Sequence, residues 1–534
     1  HKQKNAVQKA ALLSLRKHYD MDSVKNLSGF DRRLVCVPKF CPRECPGRQM
    51  CRYQRYLEES RKQDVFIQIC NHNYLLADAY HRAEGYKPLL TDYRTLIVDE
   101  AHKLPEAAKQ MFGKNLCMDD IREMVYYLER EHQKEEARIL RTVMGEALRV
   151  VGAEQRIGKG IRETFRNTTN SVVSLWEGVE MLEFLLEKLE RSVPKWIRNR
   201  LEEAKDVLEC FCSSDEKYVR YLYLDKEQLP ILCAASRKIP ELLRKMLWNR
   251  EEGVSAILTS GTLKAGADFL RTRQVTGLEA RAGVQEYVAE SPFSYEKNCL
   301  LYLPKTLEHC RRGSREEAVM IANHIHSLIC STYGHTLVLF TSYSFMGAVY
   351  NLVKGQLRVP LMEVWRNSQD TIRRFKREQN AVLFAAGSCW EGIDFPGVMV
   401  SSLLIPRLPF PVPDPIREAQ RPNYMTLQDY IQAVIVPEMQ VKLRQGFGRA
   451  IRTETDTCVV SILDHRAAPG GKYHREVTEA LPSVPVTRQI EDVERFIRAR
   501  KGPDYFFVQR REAVCLKTEK CARCGSTVVA EARA

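Results

Sequence analysis

A chain of 534 residues has room for about three domains at roughly 150 residues each. Lys and Arg outnumber Asp and Glu by 82 to 68, and the resulting charge of +14 suits a polyanionic partner such as nucleic acid. No run of about twenty apolar residues and no signal peptide is present, so a soluble intracellular protein without a membrane span is expected.

Residues 5–19 read as a helix, with Val7, Ala11 and Leu15 at helical spacing and basic residues between them. Cys36, Cys41, Cys45 and Cys51 follow, with Pro38, Pro42, Pro46 and Gly47 forcing turns among them. Four thiolates so spaced can converge on one centre, and spacing alone leaves zinc and an iron–sulfur cluster both open. Arg52 to Arg61 reads as a helix and Val65 to Cys70 as a strand, with His72 an ordinary strand-end histidine rather than a ligand. Thr95-Leu96-Ile97-Val98 is an apolar run of the buried parallel type, ending in Asp99-Glu100-Ala101-His102. Carboxylates at such a strand end face the crevice where nucleotides sit: an aspartate can hold Mg²⁺, and a glutamate can orient or deprotonate a water.

From Met118 to Tyr221 the pattern is helical, with Ile121, Met124, Val125 and Leu128 on one face. Residues 222–263 return to mixed strand and helix, and Ala256 to Leu263 is a strand that ends in Ser260 and Thr262. A second α/β part fills 264–510, where Thr336 to Phe340 delivers Thr341 and Ser342, and Ala381 to Ala386 delivers Gly387 to Asp394. Hydroxyls at strand tips can contact phosphates. Trp390 reads as a packing residue, and Cys389 lacks a partner histidine to make it a nucleophile. On a helix, Gln445, Arg449 and Arg452 fall on one face, and the planar cations of the two arginines suit a transferring phosphoryl group. The tail holds Cys515, Cys521 and Cys524, half of a zinc ribbon, read as loose thiols.

Leu34-Val35-Cys36, the cysteines through Cys51-Arg52-Tyr53, Asn71-His72 with Leu75-Leu76, and Asp99 to His102 resemble, in this order, the iron–sulfur helicases of superfamily 2, the DinG/XPD (Rad3-like) group. Ser260 to Leu263, Thr341-Ser342, Gly387 to Asp394 and Gln445 to Arg452 resemble that family's motifs III, IV, V and VI, with Gly261 where alanine is usual. The resemblance implies an α/β fold of two RecA-like motor domains with an Fe–S insertion and a helical arch. Its expected bounds are motor 1 over 1–117 with the insertion at about 31–60, the arch over 118–221, a return to motor 1 over 222–263, motor 2 over 264–510, and a tail over 511–534.

The family implies a [4Fe-4S] cluster at Cys36, Cys41, Cys45 and Cys51, Mg²⁺ at Asp99, and catalysis by Asp99, Glu100, His102, Gln445, Arg449 and Arg452. Gly392 and Asp394 would join Asp99, Glu100, Gln445, Arg449 and Arg452 around ATP, while Ser260, Thr262, Thr341, Ser342 and Ser388 would meet nucleic acid. The expected activity is ATP-dependent 5′ to 3′ translocation on single-stranded DNA and unwinding of forks by a bacterial-type cytoplasmic monomer, in repair or replication. No Gly-x-x-x-x-Gly-Lys-Ser/Thr loop occurs. His1 falls near the family's motif Ia, which implies a truncated first motor. An upstream polypeptide would supply the loop; the alternatives are an inactive nucleic-acid-binding remnant or one part of a split motor.

Overall fold

Short apolar runs become strands where a neighbouring strand takes up their hydrogen bonds, and helices then cover the faces. The computed structural model describes residues 30, 47–60, 67–158, 160–213, 216–249, 253–264, 268–279, 281–305, 307, 310–365, 369–391, 393, 395, 397–506, 518–520 and 527–529. They divide into two compact units, one within His1–Ser260, Thr272–Val284 and Val412–Leu427, the other within Gly261–Arg271, Gln285–Pro411 and Gln428–Ala534.

In the first unit, α1 (Arg52–Ser60) and α2 (His72–Ala83) precede β1 (Thr95–Val98). Leu75, Leu76 and Ala79 anchor α2 in the core, and Asn71 caps it by accepting the Tyr74 N–H at 2.9 Å. The buried Asp78 carboxylate accepts the N–H groups of Leu89 and Leu90, each at 2.8 Å, and Arg82 Nε at 2.8 Å. The loop leading into β1 is therefore pinned to α2. After α3 (Leu104–Met111) comes a separate layer: β2 (Lys114–Leu116), α4 (Met118–Arg130), α5 (Lys134–Gln155), β3 (Glu163–Thr164), α6 (Thr169–Lys188), α7 (Lys195–Cys212), β4 (Tyr218–Leu224) and β5 (Pro230–Ser236). Its strands run β2-β5-β4-β3, all antiparallel, and Leu222 and Leu232 of the sheet pack with Ile121, Leu128, Leu140 and Leu182 of the helices.

The chain then returns through β6 (Ser255–Leu258), which pairs in parallel with β1 from Thr95↔Ser255 to Val98↔Leu258. The expected strand forms, but its expected burial does not: Ile97 is 65% exposed and Ile257 is 54% exposed. Among the described residues this sheet has only two strands, so its outer edges and one apolar face lack neighbours. The strand expected over 65–70 is likewise corrected over its described part, since residues 67–70 join no ladder among the described residues, and Ile67 and Ile69 are 78% and 90% exposed. Apolar alternation creates a strand only when a partner edge is at hand.

The second unit holds β7 (Cys299–Tyr302), α8 (Arg315–Ser331), β8 (Thr336–Phe340), α9 (Tyr343–Val353), β9 (Leu361–Val364), β10 (Val382–Ala386), β11 (Ser402–Ile405), α10 (Val436–Phe447), β12 (Cys458–Ile462), β13 (Val486–Thr487) and α11 (Ile490–Arg500). Its seven strands are ordered β13-β7-β12-β11-β8-β10-β9, every pair parallel. Alternate residues serve opposite faces. Leu337, Leu383, Leu403 and Val460 pack with Met439, Leu443 and Phe447 of α10, whereas Val338, Phe384, Leu404 and Val459 pack with Ile325 of α8, Val349 of α9 and Ile497 of α11. Helices on both faces of a parallel sheet make this an α/β fold, and its strand ends at Phe340 and Ala386 point the following loops to one rim.

Candidate functional site

β1 ends in an unusual turn. Asp99 and Glu100 are both exposed, and Glu100 adopts the left-handed conformation, with φ 48° and ψ 44°. That region is disfavoured for a side chain with a Cβ, so neighbouring bonds must hold it. The Ala101 N–H donates to the Thr259 carbonyl at 3.0 Å, the Thr259 N–H to Val98 at 2.9 Å, and the Lys103 N–H to Glu100 at 2.9 Å. From the other side, His72 Nε2 donates to the Asp99 carbonyl at 2.9 Å.

The side chains converge as well. Ser260 Oγ lies 3.1 Å from Glu100 Oε2 and 2.7 Å from His102 Nδ1, and that nitrogen is 3.2 Å from Glu100 Oε2. Thus Glu100, His102 and Ser260 form one connected group. Exposed carboxylate oxygens at the end of a parallel strand are a donor set that fits a hydrated Mg²⁺. Among the described residues, no cluster of three or more His, Cys, Asp or Glu side chains could by itself enclose a metal ion.

In the second unit, β8 leads to Thr341 and then Ser342, whose Oγ caps α9 by accepting the Phe345 N–H at 3.2 Å. Trp390 is buried and donates its Nε1–H to the Phe340 carbonyl at 2.9 Å, so it packs as expected. Cys389 is also buried, and burial pushes its thiol up to about 11, away from nucleophilic use. Thr262 lies buried in this unit. Gly392 and Asp394 lie outside the described residues, as does the side chain of Ser388.

The expected helix through Gln445, Arg449 and Arg452 is corrected. α10 ends at Phe447, so Gln445 stands in its last turn while both arginines follow it. Gly448 closes the helix, and tight turns from Arg449 to Gly446 and from Ala450 to Phe447 redirect the chain. Arg449 donates Nε to the Trp390 carbonyl at 3.3 Å and Nη1 to the Ile393 carbonyl. The backbone at Arg452 and Thr453 is held by Asp456, whose Oδ2 accepts their N–H groups at 2.8 and 2.9 Å. Asp456 was not foreseen, although an acid four residues after an arginine is a local signal that could have found it. The Arg407–Glu317 pair, stacked on Phe345, was not foreseen either, and 90 residues of separation leave no such signal.

Cys51 is half-buried directly before α1, and its carbonyl accepts the Arg55 N–H at 3.1 Å. Cys36, Cys41 and Cys45 lie outside the described residues, as do Cys515, Cys521, Cys524 and the expected helix over 5–19.

The family described as Helicase C-terminal domain matches residues 325–484. The ATP-dependent DNA helicase YoaA of Haemophilus influenzae is 27% identical over 478 residues, covering 85% of this chain and 72% of that protein. The ATP-dependent helicase DinG of Mycobacterium tuberculosis is 32% identical over 258 residues, covering 47% of this chain and 38% of that protein. Over these spans the chain is similar to the YoaA and DinG helicases. A solved structure titled XPD_APO shares the fold, with a TM-score of 0.50 at 19% identity over 78% of this chain and 80% of that one. No helix among the described residues is long and apolar enough to cross a membrane.

Proposed function

We propose that this chain is the greater part of an ATP-dependent DNA helicase that translocates 5′ to 3′ on single-stranded DNA, opens forks, and works as a cytoplasmic monomer in repair or replication. The observation that carries this reading is the clamped turn at Asp99–Glu100, with Glu100 tied to Ser260 and His102. In this proposal Asp99 would hold Mg²⁺, which when bound neutralises phosphate charge. Glu100 accepts the proton of the attacking water on a carboxylate oxygen, and His102 and Ser260 keep that carboxylate in place. Gln445, Arg449 and Arg452 act on the same triphosphate, together with Gly392 and Asp394. Ser260, Thr262, Thr341, Ser342 and Ser388 contact the strand, aided by a charge of +14.

In this proposal a phosphate loop would be supplied by a further polypeptide, continuous with this chain or separate from it. The exposed Ile67, Ile69, Ile97 and Ile257 support this reading. Parallel sheets are ordinarily covered on both faces, and two strands alone are marginal in water. Four thiolates at Cys36, Cys41, Cys45 and Cys51 would hold an iron–sulfur cluster; iron content with visible absorbance, lost on Cys45→Ser, tests it, and a zinc-loaded, colourless protein contradicts it. For the activity, ATP turnover is measured with single-stranded DNA, with and without a phosphate-loop polypeptide. The expected result is DNA-stimulated turnover of the completed protein, reduced about 10²- to 10⁴-fold by Glu100→Gln. Equal turnover by Glu100→Gln would instead favour an inactive nucleic-acid-binding remnant.

A further inference from the structure

We infer that His72 is a positioning residue for the acid turn, acting through the Asp99 carbonyl; this rests on the hydrolytic reading of Asp99 and Glu100. Its Nε2–H donates to that carbonyl at 2.9 Å, across 27 residues of sequence. The carbonyl belongs to the peptide that joins Asp99 to Glu100, so the bond fixes the plane from which Glu100 enters its left-handed conformation. Thr259 holds the following peptide through Ala101, and the two contacts grip the turn from different elements.

The support beneath His72 is rigid. It is the first residue of α2, a helix capped by Asn71, anchored by buried Leu75, Leu76 and Ala79, and tied through Asp78 to Leu89 and Leu90. A donor on such a support holds its acceptor within tight limits, whereas an exposed turn with a disfavoured backbone would otherwise sample other conformations.

The test compares His72→Phe, which keeps a ring and loses the donor, with His72→Gln, whose amide N–H can replace Nε2–H. Hydrogen exchange at the Ala101 and Lys103 amides is read in the chain itself, and kcat and KM for ATP in the protein completed with its phosphate loop. His72→Phe should speed exchange at both amides and lower kcat about tenfold, with KM within about twofold, and His72→Gln should restore most of each. Unchanged exchange in His72→Phe, or a His72→Gln variant as impaired as His72→Phe, would overturn the inference. Full turnover by Glu100→Gln would remove the hydrolytic reading, while the exchange data would still report on the His72 bond.

Discussion

His335 sits at the start of β8 with its ring stacked on Tyr505 at 4.0 Å and its Nε2 3.2 Å from the Tyr505 carbonyl. Burial pushes it down to about 4 from an ordinary 6.5, so the folded protein holds it neutral. As pH falls, the unfolded chain therefore takes up the proton first. The stabilising contribution is complete above about 6.5, shrinks between 6.5 and about 4, and is flat below, amounting to about 3 kcal/mol in all. Denaturant unfolding at pH 7 and pH 5 should show about 2 kcal/mol of this loss, and His335→Phe should reduce the difference between the two. Much at this scale was legible in the sequence. A short carboxylate pair after an apolar run announces the acid turn, Trp390 reads as a packing residue, and Cys389 as no nucleophile for want of a partner histidine. The left-handed backbone at Glu100 and the bond from His72 were not, because each depends on chain that is distant in sequence.

At the scale of elements, the strands β8 and β10 could be read directly, since residues buried on both faces form nearly continuous apolar runs. The end of α10 could not. Gln445, Arg449 and Arg452 keep a helical period, but Gly446 and Gly448 stand between them, and the structure turns there. Gly446 also has a packing reason: a Cβ at that position would lie 2.7 Å from the Trp390 ring. Gly446→Ala is therefore expected to destabilise the protein by about 1 to 3 kcal/mol through overpacking. One carbonyl that receives Arg449 is that of Trp390 itself, so turnover should fall with stability; thermal melts and ATPase assays on one preparation check both. The strand expected over 65–70 marks the opposite failure. Pattern predicts strand propensity, and a ladder requires an edge that the pattern does not contain.

For the whole molecule, the charge of +14 predicts salt-sensitive grip on single-stranded DNA. Affinity should fall by at least about tenfold between roughly 50 and 200 mM salt as counterion release becomes less favourable; fluorescence anisotropy at several salt concentrations measures it, and a flat response would exclude phosphate-dominated binding. The exposed isoleucines of the β1–β6 sheet predict a second large-scale effect, namely a rise in melting temperature when a polypeptide covers them. The central claim is that the acids after β1 and the arginines after α10 serve a single triphosphate. Its most direct test is a double-mutant cycle of Glu100→Gln and Arg449→Ala, read as single-turnover ATP hydrolysis by the protein completed with its phosphate loop. Each variant alone should lose at least about 10²-fold, and the double variant little more than the worse single one, because residues that act as a unit are not additive. Losses that multiply independently, or an Arg449→Ala variant with full turnover, would contradict the account.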